Sequence, residues 1–182
     1  MTELRIAHTA DLDAATLAAA RALLDVAFGG GFGDDDWDHS LGGVHVLVRE
    51  ADELVGHACV VQRQLLHRDG DGGWRPVRAG YVEGVGVHPA HRGRGHAGAM
   101  MAELERVIRA AYDVGALSAS EQAAPLYAGR GWVLWQGPSA VLAPDGMRRT
   151  PEDDGAIYVL PCAVPLAVEG ELACDFRGGD VW

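Results

Sequence analysis

Glu83 sits in a run of strand-forming residues that glycine interrupts, Tyr81-Val-Glu-Gly-Val-Gly-Val87, and Pro89 closes the run. Tyr81, Val82, Val85 and Val87 suit a pleated surface. Gly84 and Gly86 mark a bulge or a place where a ligand approaches the backbone. Arg92-Gly-Arg-Gly-His-Ala-Gly98 then leads into an amphipathic stretch whose spacing predicts a helix to about Tyr112. Glycines at a helix start leave several N–H groups bare and pointing one way, and the helix dipole reinforces them. The sequence therefore offers a phosphate cradle next to an opened strand that carries a carboxylate.

Two patterns compete for that cradle. Gly93, Gly95 and Gly98 formally match the dinucleotide fingerprint G-x-G-x-x-G. That fingerprint runs straight from a strand into the glycines and needs an acid at the end of a second strand. Here His88-Pro-Ala-His-Arg92 intervenes, and Asp113 falls at a helix end. Arg92-x-x-Gly95-x-Ala97, preceded by Val87-His-Pro89, instead resembles the pyrophosphate loop of the GCN5-related N-acetyltransferases (GNAT). The resemblance implies acetyl-CoA as cosubstrate, held by Val85, Gly86, Val87, Arg92, Gly93, Arg94, Gly95, His96, Ala97 and Gly98.

The elements that must position these groups can be read in order. Leu4–His8 is a first strand, and Asp11 or Asp13 can cap the alanine- and leucine-rich helix that runs to about Phe28. A glycine loop, 29–33, and an acid-rich turn through Trp37 follow. Val44–Arg49, Leu54–Leu66 and Trp74–Val87 form an antiparallel meander, with the turn at Asp69-Gly-Asp-Gly-Gly73. Beyond the cradle helix come a short strand at Gly115–Ser118, a short helix with Pro125 in its first turn, and strands at 132–135 and 157–160. The expectation is a single α+β domain over residues 1–182. Its sheet is mixed and mostly antiparallel, with flanking helices and, by the GNAT resemblance, a splayed strand pair at the acetyl-CoA site.

Bulk properties narrow the partners. At 182 residues the chain can bury about 70% of its unfolded surface. No apolar run approaches a membrane span and no basic-then-apolar leader opens it, so a cytoplasmic location is expected, without a membrane partner. A formal net charge of −11 argues against nucleic acid and suits a cationic ligand. Acids cluster at Asp34-Asp-Asp36 with Asp38, at Glu152-Asp-Asp154, and at Asp175 and Asp180. Cys59, Cys162 and Cys174 are far apart and read as small hydrophobes. His88, His91 and His96 straddle a loop with no fourth ligand, so no metal is expected.

More specific stretches extend the likeness. Tyr81-Val-Glu-Gly-Val85, Gly115-Ala-Leu-Ser118, Leu126-Tyr-Ala128, Arg130-Gly-Trp132, Asp153-Asp-Gly155 and the ending Gly179-Asp-Val-Trp182 together resemble the actinobacterial aminoglycoside 2′-N-acetyltransferases. The similarity covers nearly the whole chain. It implies a cationic aminoglycoside as acceptor, an antibiotic-resistance type of activity, and leaves a homodimer open. One departure stands out: Gly31 occupies a position where relatives carry an acid, while Asp36 stays at the matching aspartate before Trp37.

Acetyl transfer needs an uncharged amine against a thioester carbonyl, an oxyanion donor, and a proton for the departing thiolate. Glu83 is the candidate base, directly or through water, and the Val85 N–H the candidate oxyanion donor. Tyr127, a phenol with an ordinary pKa of roughly 10, is the candidate donor to the thiolate, with Ser118 as an orienting group. Asp36, Glu83, Asp153 and the terminal carboxylate of Trp182 are the expected ligands of the ammonium groups. Alternatives are a GNAT enzyme acting on another small cationic or peptide amine, and a non-catalytic binding module, which would need neither Glu83 nor Tyr127.

Overall fold

The computed structural model describes residues 2–182, and the chain divides into two compact units: Met1–Val61 with Val82–Val107, and Gln62–Tyr81 with Ile108–Trp182. In the first unit, β1 (Thr2–His8) opens the chain. Helix α1 (Ala14–Ala27) starts at Asp13, whose Oδ1 accepts the Thr16 N–H at 2.7 Å. Its buried residues Thr16, Ala20, Leu23 and Leu24 fall on one stripe of helical spacing. The acid-rich segment expected as a turn is a short helix, α2 (Asp34–Ser40). Three aspartates in its first turn complement the dipole, and Arg21 pairs with Asp34. Trp37 on α2 joins Leu12, Ala20, Leu24 and Leu47 in one buried cluster.

β2 (Val44–Glu50) pairs antiparallel with β1 along its whole length, and with the first half of β3 (Glu53–Arg68). The second half of β4 (Arg75–Val87) and most of α3 (His96–Ala111) complete this unit. Helix α3 lies over β3 at Gly56, where a Cβ would come within 3.2 Å of both Met100 Sδ and the Val48 side chain.

The second unit continues β3 and holds the start of β4, followed by β5 (Val114–Ser118), α4 (Ala124–Ala128), β6 (Val133–Leu134), β7 (Ser139–Ala143), β8 (Gly146–Arg149), β9 (Ile157–Pro161) and β10 (Glu171–Asp175). Its strands follow the order β6-β9-β5-β4-β3-β10-β7-β8. The β4–β5 and β7–β10 pairs are parallel, while β3–β10, β5–β9, β6–β9 and β7–β8 are antiparallel. This is the mixed, mostly antiparallel α+β sheet expected. The β4–β5 pairing joins Ala79–Tyr81 to Val114–Ala116. Strands β7, β8 and β10 are additions to the sequence reading. Arg63 ties β3 to β10: its Nε donates to Asp175 Oδ1 at 2.8 Å and its guanidinium stacks over the Tyr81 ring at 4.7 Å.

Candidate active site

In the first unit, the glycine-broken end of β4 is pressed between α1 and β3. A Cβ on Gly86 would lie 2.7 Å from Leu24 Cδ2 and 3.1 Å from Ala27 Cβ, so α1 rests directly on this backbone. Gly84 has φ +55°, a conformation costly for any residue with a side chain. Two successive carbonyls here are held by side chains of β3. His57 Nδ1 donates to Gly84 O at 2.7 Å, and the Cys59 thiol donates to Glu83 O at 3.4 Å. Glu83 itself is half-buried.

The cradle follows. Arg92 donates through Nε to Val87 O at 3.2 Å and through Nη2 to Ala27 O at 2.7 Å, fastening the loop to β4 and α1. Glu50, the last residue of β2, gathers three partners from the loop: His91 Nδ1 at 2.9 Å, Arg94 Nη1 at 2.7 Å and His96 Nε2 at 2.8 Å. The hydrogen bond from His91 chiefly holds the Glu50 carboxyl below its usual range, with His96 and Arg94 acting the same way. Ala99 N–H reaches Gly95 O at 3.0 Å, so the first turn of α3 begins among the glycines. Both arginines are engaged with protein acceptors, and what the loop offers a pyrophosphate is its backbone N–H groups at a helix start. That donor set fits an anionic diphosphate.

The three loop histidines do not share one point. Glu53, His88 and His91 bring ligand atoms within 4.8 Å of one another, whereas His96 is turned onto Glu50. Asp36 caps its own helix, accepting the Gly33 N–H through Oδ2 at 2.8 Å.

The second unit holds the remaining candidates. Tyr127 on α4 is buried among aromatic rings, with Trp132 at 6.1 Å and Tyr158 at 6.2 Å between centroids. Burial pushes its phenol up to about 12. Ser118 ends β5 and is exposed. Next to it in the chain opens a cavity of about 330 Å³ lined by Ala119, Glu121, Ala124, Asp154, Gly155, Ala156 and Tyr158.

Asp153 closes a 3₁₀ turn, Pro151–Asp153. Its carboxyl is raised first by burial and then by the neighbouring charges of Glu152 and Asp180, against the pull of a Thr150 hydrogen bond. A carboxylate raised by like charges gains most from an arriving cation. Trp182 packs its ring, 5% exposed, and its Nε1 donates to Thr150 Oγ1 at 3.0 Å. Thr150 thus links Trp182 to the turn bearing Asp153. Asp154, by contrast, is spent on Arg149 Nη2 and on Ser139 Oγ, each at 2.8 Å.

Glu50, His57 and Thr150 were not singled out from the sequence. Each acts through a partner distant in the chain, and only for His57 was there a local signal: His57 and Cys59 alternate onto one face of a strand.

The sequence pattern of the acetyltransferase (GNAT) family matches residues 18–132. An aminoglycoside 2′-N-acetyltransferase of Mycolicibacterium fortuitum is 48% identical over 182 residues, covering 98% of this chain and 91% of that protein. Among solved structures, a GNAT family acetyltransferase from Brucella melitensis in complex with acetyl-CoA superposes with a TM-score of 0.59 at 15% identity, covering 97% of each chain. Eis1 from Mycobacterium abscessus gives 0.60 at 22% identity, covering 77% of this chain and 33% of that one. At such identities the two structures speak for the fold alone.

Proposed function

This chain belongs to the GNAT acetyltransferase family, and we propose that it transfers the acetyl group of acetyl-CoA to the 2′-amino group of aminoglycosides. The observation that carries the reading is the 48% identity to an aminoglycoside 2′-N-acetyltransferase, spread over 98% of the chain rather than confined to the cradle.

The residue roles below belong to the same proposal. The start of α3 takes the pyrophosphate on its backbone N–H groups, with Gly93, Gly95 and Gly98 keeping side chains out of the way and Arg92 and Arg94 fastening the loop. Glu83 accepts a proton from the substrate ammonium, directly or through a water. The freed amine attacks the thioester carbon, and the Val85 N–H donates to the oxygen that gains charge. As the C–S bond breaks, sulfur leaves as thiolate. Tyr127 keeps its own proton across the working range, because burial holds it near 12. Handing that proton fully to a thiolate of ordinary pKa, roughly 8.5, would run uphill. Its part is to donate a hydrogen bond to the departing sulfur, oriented with help from Ser118. The proton that ends on the thiol comes from the amine.

Asp153, Glu83, Asp36 and Trp182 are proposed at the aminoglycoside, where several carboxylates suit several ammonium groups. A single domain over residues 1–182, a cytoplasmic location, a resistance role, homodimer assembly and the absence of nucleic-acid and membrane partners belong to the same proposal. The net charge of −11 supports the exclusion of polyanions.

The test is thiol release from acetyl-CoA on adding tobramycin, spermidine or a peptide in turn, with the acetylated position mapped. Acetylation of tobramycin at the 2′-amine, and none of kanamycin A, which has a 2′-hydroxyl, is expected. An acetyl group on a 3- or 6′-amine overturns the reading.

A further inference from the structure

A line of hydrogen bonds, buried at its centre, runs across the first unit from the Gly42 loop to Gly84 of β4. Gly42 N–H donates to Thr9 Oγ1 at 2.9 Å, and Thr9 Oγ1 meets His45 Nε2 at 2.8 Å. His45 Nδ1 meets His57 Nε2 at 2.9 Å, and His57 Nδ1 meets Gly84 O at 2.7 Å. Both imidazoles are fully buried. Nothing in acetyl transfer requires them.

The direction of the line is fixed by its far end. A carbonyl can only accept, so His57 carries its proton on Nδ1. A neutral ring then leaves Nε2 as acceptor, so His45 donates from Nδ1 and accepts at Nε2 from the Thr9 hydroxyl. Every group is satisfied with both rings neutral, and burial holds both at about 4. The nearby Cys59 thiol, which with the two histidines brings three ligand atoms within 4.8 Å, is already engaged with Glu83 O and is pushed up strongly by burial. These groups are committed to hydrogen bonds rather than to a cation.

The consequence lies on the other side of one peptide plane. Gly84 C=O and Val85 N–H belong to the same peptide unit, and no cis bond occurs among the described residues. In a trans peptide the two groups point in opposite directions. Whatever grips Gly84 O therefore aims the Val85 N–H. We propose that His57, backed by His45 and Thr9, is a positioning residue that turns the Gly84–Val85 peptide so that its N–H faces the thioester oxygen. This rests on the acetyl-transfer reading above. In a regular ladder a backbone N–H would hold that carbonyl. Here the His57 ring holds the carbonyl of a glycine at φ +55°.

The experiment compares the intact protein with His57→Leu and His57→Asn. Leucine fills the space without a donor, whereas asparagine places an amide N–H near the position of Nδ1. Calorimetry with acetyl-CoA and with CoA reads the acetyl carbonyl contact separately from the shared pyrophosphate contacts. His57→Leu should lose the preference for acetyl-CoA over CoA and about 10²-fold in kcat, the scale of losing an oxyanion donor, with CoA affinity unchanged. His57→Asn should restore most of both. Retained preference and kcat in a folded His57→Leu protein overturns the proposal. Should that variant fail to fold, nitrogen-15 NMR of the unmodified protein decides: His57 protonated on Nδ1 supports the proposal, and protonation on Nε2 overturns it. Equal affinity of the unmodified protein for acetyl-CoA and CoA would remove the role of Val85 itself, which is failure of the underlying mechanism rather than of His57 alone. Failure of aminoglycosides as acceptors leaves the calorimetric comparison standing.

Discussion

The indole N–H of Trp182 donates to the hydroxyl of Thr150 at 3.0 Å, and both residues are buried. The same hydroxyl meets Ser139 Oγ at 2.8 Å, and the Thr150 carbonyl accepts the Asp153 N–H at 3.0 Å. One residue thus fixes a tryptophan through its hydroxyl and the turn that presents an acid through its carbonyl.

Thr150→Val keeps the shape and removes the hydroxyl. The indole N–H is then buried without its acceptor, at a cost of about 1–3 kcal/mol. The KM for aminoglycoside should rise about tenfold while that for acetyl-CoA stays within about twofold. Steady-state kinetics with each substrate varied in turn checks this. Equal effects on both would reduce Thr150 to a general packing role.

Glu50→Gln keeps one of the two acceptor oxygens shared by His91, Arg94 and His96, turns the other into an amide donor, and removes the charge that draws them together. The loop should loosen, raising the acetyl-CoA KM about tenfold with kcat little changed. Calorimetric titration with CoA reads the same loss without chemistry. Unchanged CoA affinity would mean that the backbone holds its shape without Glu50.

Much of this arrangement is visible in the sequence. The strand-break-glycine pattern around Glu83 and the helix at His96 are local, and each was placed to within a residue or two. Asp11 or Asp13 as the α1 cap is likewise written in neighbouring residues, and Asp13 takes the place. What escapes is non-local. β10 begins after a run rich in Pro and Ala, and it becomes a strand because β3 and β7 flank it. The acid cluster at Asp34–Asp36 reads as a cation site, yet Asp34 is already paired with Arg21. Charge counts in a sequence do not say which acids are already spent. Asp153 is distinguished by burial and by the charges of Glu152 and of Asp180, the latter 27 positions away in the chain.

Tyr127→Phe should lower kcat about 10²-fold, within the range for such groups, while KM values stay within about threefold. Because burial holds the phenol near 12, the unmodified enzyme should show no loss of kcat from phenol ionisation below about pH 10. A pH–rate profile of both proteins checks the pair of statements. Full kcat in the phenylalanine variant would mean that the departing sulfur needs no hydrogen bond from this phenol.

His45 and His57 make folding sensitive to acid. Their folded values lie at about 4, lowered by burial from the ordinary 6.5; His8 acts on His45, and His45 on His57. Between those two values the unfolded chain binds more protons than the folded one, so stability falls as pH drops from about 6.5 toward 4 and is flat above about 7. The loss should reach a few kcal/mol. The other groups against these rings are the aromatic Trp37 at 6.1 Å from His57 and the Cys59 thiol, which stays protonated throughout. Denaturant melts at pH 7 and 4.5 should therefore differ clearly, and a His45→Gln, His57→Asn double variant should show a shallower pH dependence. An unaltered slope would place the acid sensitivity elsewhere.

The cradle itself can be tested with a matched pair of glycines. Gly95 has φ +85° and Gly70, in the β3–β4 turn, has φ +53°; a Cβ at either would meet nothing within 4 Å. Replacing either with alanine therefore costs mainly backbone strain, about 1 kcal/mol in each case. The two variants should unfold at similar denaturant concentrations. Their ligand behaviour should diverge, because at Gly95 the new methyl stands where the diphosphate must approach the start of α3. Gly95→Ala should weaken CoA binding tenfold or more beyond the change in Gly70→Ala, and Gly95→Val more again, with aminoglycoside binding untouched in both. Calorimetry with CoA and with tobramycin on the three proteins gives the comparison. If Gly95→Ala binds CoA as Gly70→Ala does, the glycine serves the turn alone and the diphosphate is held by other groups.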